Sequence, residues 1–267
     1  MRRILTISLA FILGIFASSC EEKDRIDELD LDNFEVEDML IIGQTMKNQI
    51  ESMPEVFNIL DEKEYEDAYA YLGTLLHTLK LTAVVSHRDS YPWTVTIVQD
   101  DDVRTAFTLP GGHIYVYTGL LKFLQAEHEL IAILGNEIAY ADQGMISKAL
   151  RNAYGGVLLG DIKLGKKVEV LPEIMTELPS LQFTKEMVFD ADQYSIRLVC
   201  PFQYDISGLK GFVERAHQGE IEWINSKKWD DYNVRLSNLE EFSMPCGEGG
   251  VTNFEQYQMK IRNFLPR

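Results

Sequence analysis

The feature that most constrains the fold is a β-rich segment between residues 93 and 117 that is broken by tight-turn residues. Residues 93–98 and 105–109 are rich in β-branched and aromatic side chains, which are typical of strands. Pro110, Gly111 and Gly112 interrupt this composition, and residues 113–117 resume it. The sequence therefore predicts three short strands that form one small sheet.

Helical periodicity dominates the rest of the chain. Apolar residues recur at spacings of three and four in residues 65–81, 127–150 and 184–199, which predicts amphipathic helices. Shorter helices are predicted over residues 35–50, 118–124, 209–217 and 253–264. Residues 155–167 form a looser glycine-rich stretch, and a polar stretch surrounds Trp223 and Trp229. The predicted fold class is α+β, mostly helical, with one small β-sheet packed against the helices.

Residues 1–19 have the organisation of a secretory signal peptide. Arg2 and Arg3 give a positive start, residues 4–16 are apolar, and small residues precede Cys20. The apolar run is shorter than the ~20 residues that a membrane-spanning helix needs. Small residues directly before a cysteine are typical of a bacterial lipoprotein signal, which predicts that Cys20 is lipidated and begins the mature chain. An ordinary signal peptide with an incidental cysteine is the alternative.

The segment that follows Cys20 is strongly acidic. Residues 21–38 contain ten acidic side chains against Lys23 and Arg25, so we expect a solvated tether. The alternative is a sorting signal, because the segment resembles the surface-export signals of Bacteroidetes lipoproteins. The predicted organisation is a lipoprotein signal peptide at 1–19, a lipidated cysteine and acidic tether at 20–38, and one domain at 39–267.

Charge and cysteine content restrict the partners and the compartment. The net charge of −17 argues against a nucleic-acid partner, which would require a basic surface. Beyond Cys20 the chain has only Cys200 and Cys246. An even pair in an oxidising compartment permits a disulfide, whereas a buried free thiol at Cys200 is the alternative.

Three segments of the chain resemble the HtpX/BepA/Oma-type zinc metallopeptidases, a gluzincin-like family. Residues 105–121 resemble the family's strand, Pro-Gly-Gly turn and following strand, with Thr105 where the family usually has Asn. Residues 129–137 lie where the family has its active-site helix, and residues 184–192 resemble the segment that carries its third zinc ligand. The resemblance covers residues 60–264. It implies a peptidase-like domain with an active-site-type helix and a second, ligand-type helix.

The residues that would bind zinc differ from those of the family. Such peptidases hold zinc through the two histidines of an H-E-x-x-H helix and a carboxylate from a second helix. Here Asn136 and Tyr140 occupy the histidine positions and Val188 the third ligand position, while Glu137 and Asp192 are retained. An amide and a neutral phenol are poor zinc ligands, and an isopropyl group cannot bind a metal. We therefore expect a degenerate site without metal or cofactor, and a chain that is not an enzyme.

The replacements also suggest how the vacated site is packed. We expect Tyr140 and Val188 to fill it, and Glu137 to accept a hydrogen bond from Asn136 or from the Tyr140 hydroxyl, because an unpaired buried carboxylate is costly. No two of the five histidines are four residues apart, so they do not restore the missing pair. An oxygen-only site for a hard cation, built from Glu137, Asp190 and Asp192, is the alternative.

The strand after the Pro-Gly-Gly turn preserves the family pattern best. In the family this strand borders the cleft, where an extended substrate can add to it through backbone hydrogen bonds. The resemblance therefore assigns peptide binding to a set that comprises Gly111, Gly112, Ile114, Tyr115 and Val116.

These inferences predict a binding, chaperone or scaffold protein that is lipid-anchored in the bacterial outer membrane and faces the periplasm or the cell surface. Relatives in the cell envelope handle outer-membrane proteins and associate with the β-barrel assembly machinery. The resemblance thus implies envelope proteins, or such an assembly complex, as partners. Two alternatives remain: a residual metalloendopeptidase with an unorthodox site, and a purely structural subunit of an outer-membrane complex.

Overall fold

The computed structural model describes residues 34–220, 232–246 and 249–267. The predicted signal peptide, Cys20, most of the acidic tether, Trp223 and Trp229 lie outside the described residues. Within them, no helix has both the length and the apolar character that crossing a bilayer requires.

The β-rich segment forms one three-stranded sheet, as predicted. Its strands are β1 Thr94–Val98, β2 Ala106–Leu109 and β3 His113–Tyr117. Their order is β1-β3-β2, so β3 is central, parallel to β1 and antiparallel to β2. Gly111 and Gly112 make the turn with positive φ, and a Cβ on Gly112 would lie 2.8 Å from the Trp93 ring. Glycine is therefore required at this point of the turn.

Helices surround the sheet, and the predicted α+β class, mostly helical with one small sheet, is confirmed. The described helices are α1 Val36–Glu51, α2 Glu66–Lys80, α3 Thr118–Phe123, α4 Glu127–Asp142, α5 Met145–Tyr154, α6 Gly156–Lys163, α7 Leu171–Glu177, α8 Lys185–Val199, α9 Gly208–Arg215, α10 Tyr232–Ser243 and α11 Phe254–Phe264. The first turn of α1 lies in the segment that the sequence assigned to the tether.

Helix α4 is the central element of the domain. It packs against α8, α9, β2 and α2, and nearly all of its side chains are buried. A Cβ on Gly135 would lie 2.7 Å from the Ser195 Oγ, so the glycine permits a close approach between α4 and α8. Ser195 uses that proximity to donate a hydrogen bond to the Ala132 carbonyl at 2.6 Å. This close packing brings Asn136 on α4 beside Asp192 on α8.

Several predicted boundaries are wrong. The long helix predicted over residues 127–150 is two helices, because Gly144 adopts a left-handed conformation with φ of 64° between α4 and α5. The glycine-rich stretch 155–167 contains α6, which buries Leu159 and Ile162 on its inner face. Helices α7 and α10 have no counterpart among the predictions. These short helices depend on tertiary packing, since isolated helices of their length are marginal in water.

The C-terminal helix α11 is joined to the core by a buried carboxylate at the start of α4. Glu127 accepts hydrogen bonds from Tyr71 at 2.7 Å, Tyr204 at 2.7 Å and Asn253 at 2.6 Å, and Lys260 lies 3.4 Å away. Burial opposes ionisation of this carboxyl. The hydrogen bonds outweigh burial and hold the pKa of Glu127 below its ordinary value.

Candidate functional site

A cavity of about 120 Å³ lies between β2, α4 and α8. The structure brings Asn136, Glu137, Tyr140 and Val188 together in its wall. The fifth predicted site residue, Asp192, is fully buried and hydrogen-bonded to Asn136. The cavity is smaller than the roughly 300–1,000 Å³ of most small-molecule sites, so it has room for a side chain rather than for a large ligand.

Asp192 is the centre of a buried ion pair. The Asn136 amide donates to its Oδ1 at 3.0 Å. Arg235 from α10 donates through Nε to Oδ2 at 2.6 Å and through Nη2 to Oδ1 at 2.8 Å, and it is only 2% exposed. A guanidinium that binds both carboxylate oxygens is the strongest pairing geometry available to an aspartate.

Sequence reasoning missed Arg235. The polar stretch that leads into α10 has no periodicity, and nothing in its spacing distinguishes this arginine from the others. The available signal was chemical. An aspartate retained on a buried helix face, without a metal ion, requires a cationic or hydrogen-bonding partner.

A disulfide holds α10 close to α8. Cys200 follows the last residue of α8 and is bonded to Cys246, which lies just after α10, with a Cα–Cα distance of 5.5 Å. The two helices are thus joined covalently near their C-terminal ends, while the Asp192–Arg235 pair joins their interiors.

Glu137 has no such partner. It is 8% exposed, and no described residue forms a hydrogen bond with its carboxyl group. The prediction that Asn136 or Tyr140 satisfies Glu137 is wrong, because the Asn136 amide donates to Asp192 instead. Burial raises the pKa of Glu137 to about 8. The side chain therefore carries a proton at neutral pH, which removes most of the cost of burying it.

Tyr140 and Val188 pack into the site, as expected from the replacements. Both side chains are buried, and the Tyr140 ring stacks on Phe183 with 4.1 Å between ring centroids. Burial raises the pKa of Tyr140, so its phenol stays protonated. Phe183 follows the segment Leu178–Ser180, which packs beside β2 and also lines the cavity.

The side chains at the family's ligand positions do not fit a zinc ion. The Asn136 amide is committed to Asp192, Tyr140 is a neutral phenol, and Val188 is apolar. Within residues 34–220, 232–246 and 249–267, no three His, Cys, Asp or Glu side chains are grouped so that they could hold a metal. Asp190 is exposed, so the oxygen-only alternative is not assembled either.

The predicted peptide-binding strand is wrong. β3 is the central strand, so β1 and β2 occupy both of its edges, and Ile114, Tyr115 and Val116 are completely buried. The preceding Gly111 and Gly112 are buried as well. A client segment has no access to the backbone of β3.

The edge strand beside the cavity is β2. Tyr117 N donates to the Thr105 carbonyl at 3.2 Å, so every second residue from Thr105 exchanges backbone hydrogen bonds with β3. In an antiparallel ladder this register directs the backbone N–H and C=O of Ala106 and Thr108 away from β3. Residues 105–108 also line the cavity. Among the described residues no strand pairs with this outer edge of β2, and the unpaired edge lies at the same place as the candidate site.

Comparison with known protein families identifies the family to which this domain belongs. The model of Peptidase family M48 matches residues 70–226, which is more than half of the chain and includes the sheet, α4 and α8. The chain belongs to peptidase family M48. The resemblance that the sequence motifs indicated is thus confirmed.

Curated M48 relatives are similar over part of their length. The chain is 42% identical over 144 residues to the mitochondrial metalloendopeptidase OMA1 of Danio rerio, covering 49% of this chain and 30% of the relative. It is 28% identical over 131 residues to that of Arabidopsis thaliana, with 47% and 26% covered. With the β-barrel assembly-enhancing protease of Escherichia coli it shares 21% identity over 147 residues, with 49% and 30% covered. The chain spans less than a third of the length of each.

These comparisons correct the prediction that the chain is not an enzyme. M48 is a family of peptidases, and the relatives are named metalloendopeptidases or protease, so the chain belongs to an enzyme family. The substitutions at Asn136, Tyr140 and Val188 distinguish this member from the H-E-x-x-H pattern. They do not remove it from the family.

Proposed function

We propose that this M48 protein acts in protein quality control in the cell envelope by binding extended segments of client proteins along β2. The observation that carries the proposal is the unpaired edge of β2 next to the candidate site. One relative is named a β-barrel assembly-enhancing protease, which supports a role with envelope proteins. The disulfide between Cys200 and Cys246 suits an oxidising compartment such as the periplasm.

The chemistry of the edge suits a polypeptide. An extended client can add to β2 by backbone hydrogen bonds to the half-buried Ala106, and to the buried Thr108 once the segment that covers it moves aside. Such bonds are independent of the client's sequence. Selectivity then comes from the cavity, which has room for a client side chain. Its wall is apolar at Ile146, Leu181 and Val188. Clients with an apolar residue at that position are therefore preferred.

A client must displace part of the protein's own chain. Leu178–Ser180 lies beside β2, and the half-buried Phe183 covers Tyr140 at the cavity. Contacts of one aromatic pair are worth only about 0.5–1.5 kcal/mol beyond area burial, so an incoming apolar side chain can replace them. Residues 178–183 thus compete with the client for the same surface.

The same proposal places the protein at the outer membrane, attached through a lipid on Cys20. Its partners are then envelope proteins in transit or a complex that assembles β-barrels. A purely structural subunit, which contacts its complex only through an outer surface, is the outcome that the following test distinguishes.

The test is photo-crosslinking in cells with a photoreactive residue at Ala106, on β2. A matched position is Ala70, which is exposed on α2. We expect position 106 to give adducts with several unfolded envelope proteins and position 70 to give none of them. Adducts at position 70 alone, always with one partner, would instead establish a structural subunit.

Two substitutions at Ala106 isolate the contribution of β2 backbone hydrogen bonds to client binding. Ala106→Pro removes the N–H that points away from β3 and leaves the ladder hydrogen bonds in place, because proline is tolerated at outward-facing positions of edge strands. Ala106→Val keeps the N–H and adds bulk. We expect client adducts at a second crosslinking site, the exposed Lys185 at the cavity rim, to fall with proline and to persist with valine. Equal adduct yields in both variants contradict binding by strand addition.

The second candidate function is peptide-bond hydrolysis. Family membership favours it, and Glu137 supplies a protonated carboxyl in the cavity wall, with a pKa raised to about 8 by burial. Such a group can donate a proton at neutral pH. Purified full-length protein is incubated with an unfolded β-barrel protein, and its zinc content is measured in parallel. Cleavage that is lost in Glu137→Gln, with about one zinc per chain in the wild type, would establish a peptidase with an unorthodox site.

A further inference from the structure

We infer that the outer surface of α6 and of the turn that follows it rests on the lipid bilayer. This α6 surface comprises Val157, Leu164, Lys166, Lys167 and Val168. The inference rests on the membrane attachment proposed above and goes beyond it, because it states which face of the domain meets the lipid.

The α6 surface exposes large apolar side chains. Val157, Leu164 and Val168 are 49%, 60% and 45% exposed. Val157 and Leu164 are seven residues apart and therefore share one helical face. The inner face of α6 packs against the rest of the domain: Leu159 and Ile162 are buried, and α6 contacts α1 and α5. The outer face thus has apolar side chains available for a partner.

Exposed lysines accompany these side chains, with Glu169 as the exposed acidic residue beside them. Three lysines fall within residues 163–167 of a chain with a net charge of −17. Lys166 and Lys167 are exposed, while Lys163 forms an ion pair with Asp38. An acyl-chain interface bordered by anionic headgroups matches apolar side chains flanked by lysines, because the headgroups attract the lysine ammonium groups.

The position of the α6 surface in the chain favours the bilayer over a protein partner. The Lys163–Asp38 ion pair joins α6 to the first turn of α1, which is where the chain enters the described domain. Residues 20–33, which connect Cys20 to that point, span at most about 50 Å when fully extended. A lipid on Cys20 therefore keeps α6 at high effective concentration near the membrane, so that a weak contact is sufficient to orient the domain.

The test uses the full-length chain in vesicles of phosphatidylcholine and phosphatidylglycerol. An environment-sensitive fluorophore is attached to Leu164→Cys or, in the control variant, to Met259→Cys. Met259 is 56% exposed on α11, which packs on α2, α3 and α4. With lipids brominated along the acyl chain, we expect the label at position 164 to lose at least about half of its emission, because interfacial side chains reach about 5–10 Å into the bilayer. The label at position 259 keeps its emission.

A charge variant and a flotation assay complete the design. Lys166→Glu combined with Lys167→Glu should restore emission at position 164 in the same vesicles. Protein that floats with the vesicles but shows no quenching at 164, or equal quenching at both positions, overturns the inference and leaves the membrane attachment standing. Protein that does not float shows that the attachment itself is wrong.

Discussion

Helix α4 carries buried carboxyl groups of two kinds, those that accept hydrogen bonds and one that does not. At the N-terminal end, Glu127 and Glu129 are both surrounded by donors: Glu127 accepts from two tyrosines and an asparagine, and Glu129 is bound by both terminal nitrogens of Arg215 at 2.8 Å. Two turns further along, Glu137 is also buried but receives no hydrogen bond from any described residue.

This contrast distinguishes buried carboxylates that stabilise the fold from a buried carboxyl group at a functional site. Carboxylates that join helices are fully paired, because an unpaired buried charge would destabilise the fold. A carboxyl that is left unpaired and kept neutral is tolerated only where the surroundings determine the fold independently, and such groups concentrate at functional sites. Glu137 lines the cavity of an M48 protein, so its raised pKa marks the site even though the ligand positions around it have changed.

The largest expected effect concerns the paired carboxylate of the site. Arg235→Ala leaves Asp192 buried without its cation, which should lower the free energy of unfolding by about 3–5 kcal/mol. Urea denaturation measures this loss. The exposed Arg262→Ala on α11 is the matched control and should change stability by less than about 0.5 kcal/mol. A small loss for Arg235→Ala would mean that α10 does not hold the site together.

As the pH rises, substitution of Glu137 should shift the free energy of unfolding upward relative to wild type, whereas substitution of Arg235 lowers it. Its pKa rises from an ordinary 4.5 to about 8 on folding, so between these values the folded state binds the proton more tightly than the unfolded state. The stability that this group contributes is therefore lost as the pH rises through that window. Glutamine does not titrate, so the stability of Glu137→Gln relative to wild type should rise by on the order of 3 kcal/mol between pH 5 and pH 8.

Thermal unfolding at a series of pH values measures this difference. The exposed Glu255→Gln is the control for removal of a carboxyl group that the fold does not bury. A flat difference for Glu137→Gln would show that the carboxyl is already ionised at pH 5 in the folded protein, and the contrast along α4 would disappear.

Glu127 should behave as a paired carboxylate. Its pKa is lowered on folding, so its stabilising contribution is present above the unfolded pKa near 4.5 and is lost as the pH falls through the lower folded value. Glu127→Gln should cost about 1–3 kcal/mol at pH 7, because an amide cannot accept all of the donors that surround it. The deficit should shrink in acid. A deficit that grows in acid would contradict the assignment.

The smallest expected effect is on the segment that covers the cavity. Phe183→Ala removes the ring that stacks on Tyr140 and should cost about 1–2 kcal/mol, because part of the ring's burial is lost together with the stacking. The same change should increase client crosslinking at position 106, because residues 178–183 compete with the client. Phe254→Ala, on an exposed part of α11, is the control for both measurements. Unchanged crosslinking would mean that the segment does not cover the binding surface.

Local sequence patterns determined much of this protein. The three strands, α2, α8 and the start of α4 agree with the predictions because apolar periodicity and turn residues act over a few neighbouring positions. The motifs around residues 105–121 and 184–192 also identified the M48 family and placed Asn136, Glu137, Tyr140 and Val188 in one site. Those residues lie on two helices whose relation the family pattern already implies.

Only the tertiary structure decided how these elements contact each other. Strand order is set by long-range pairing, so the sequence could not show that β3 is central and that β2 borders the site. The Asp192–Arg235 pair and the Cys200–Cys246 bond connect residues more than 40 positions apart. Their partners depend on how α8 and α10 pack. The pKa of Glu137 likewise depends on which donors its neighbours have already used, which is a property of the folded site and not of the chain.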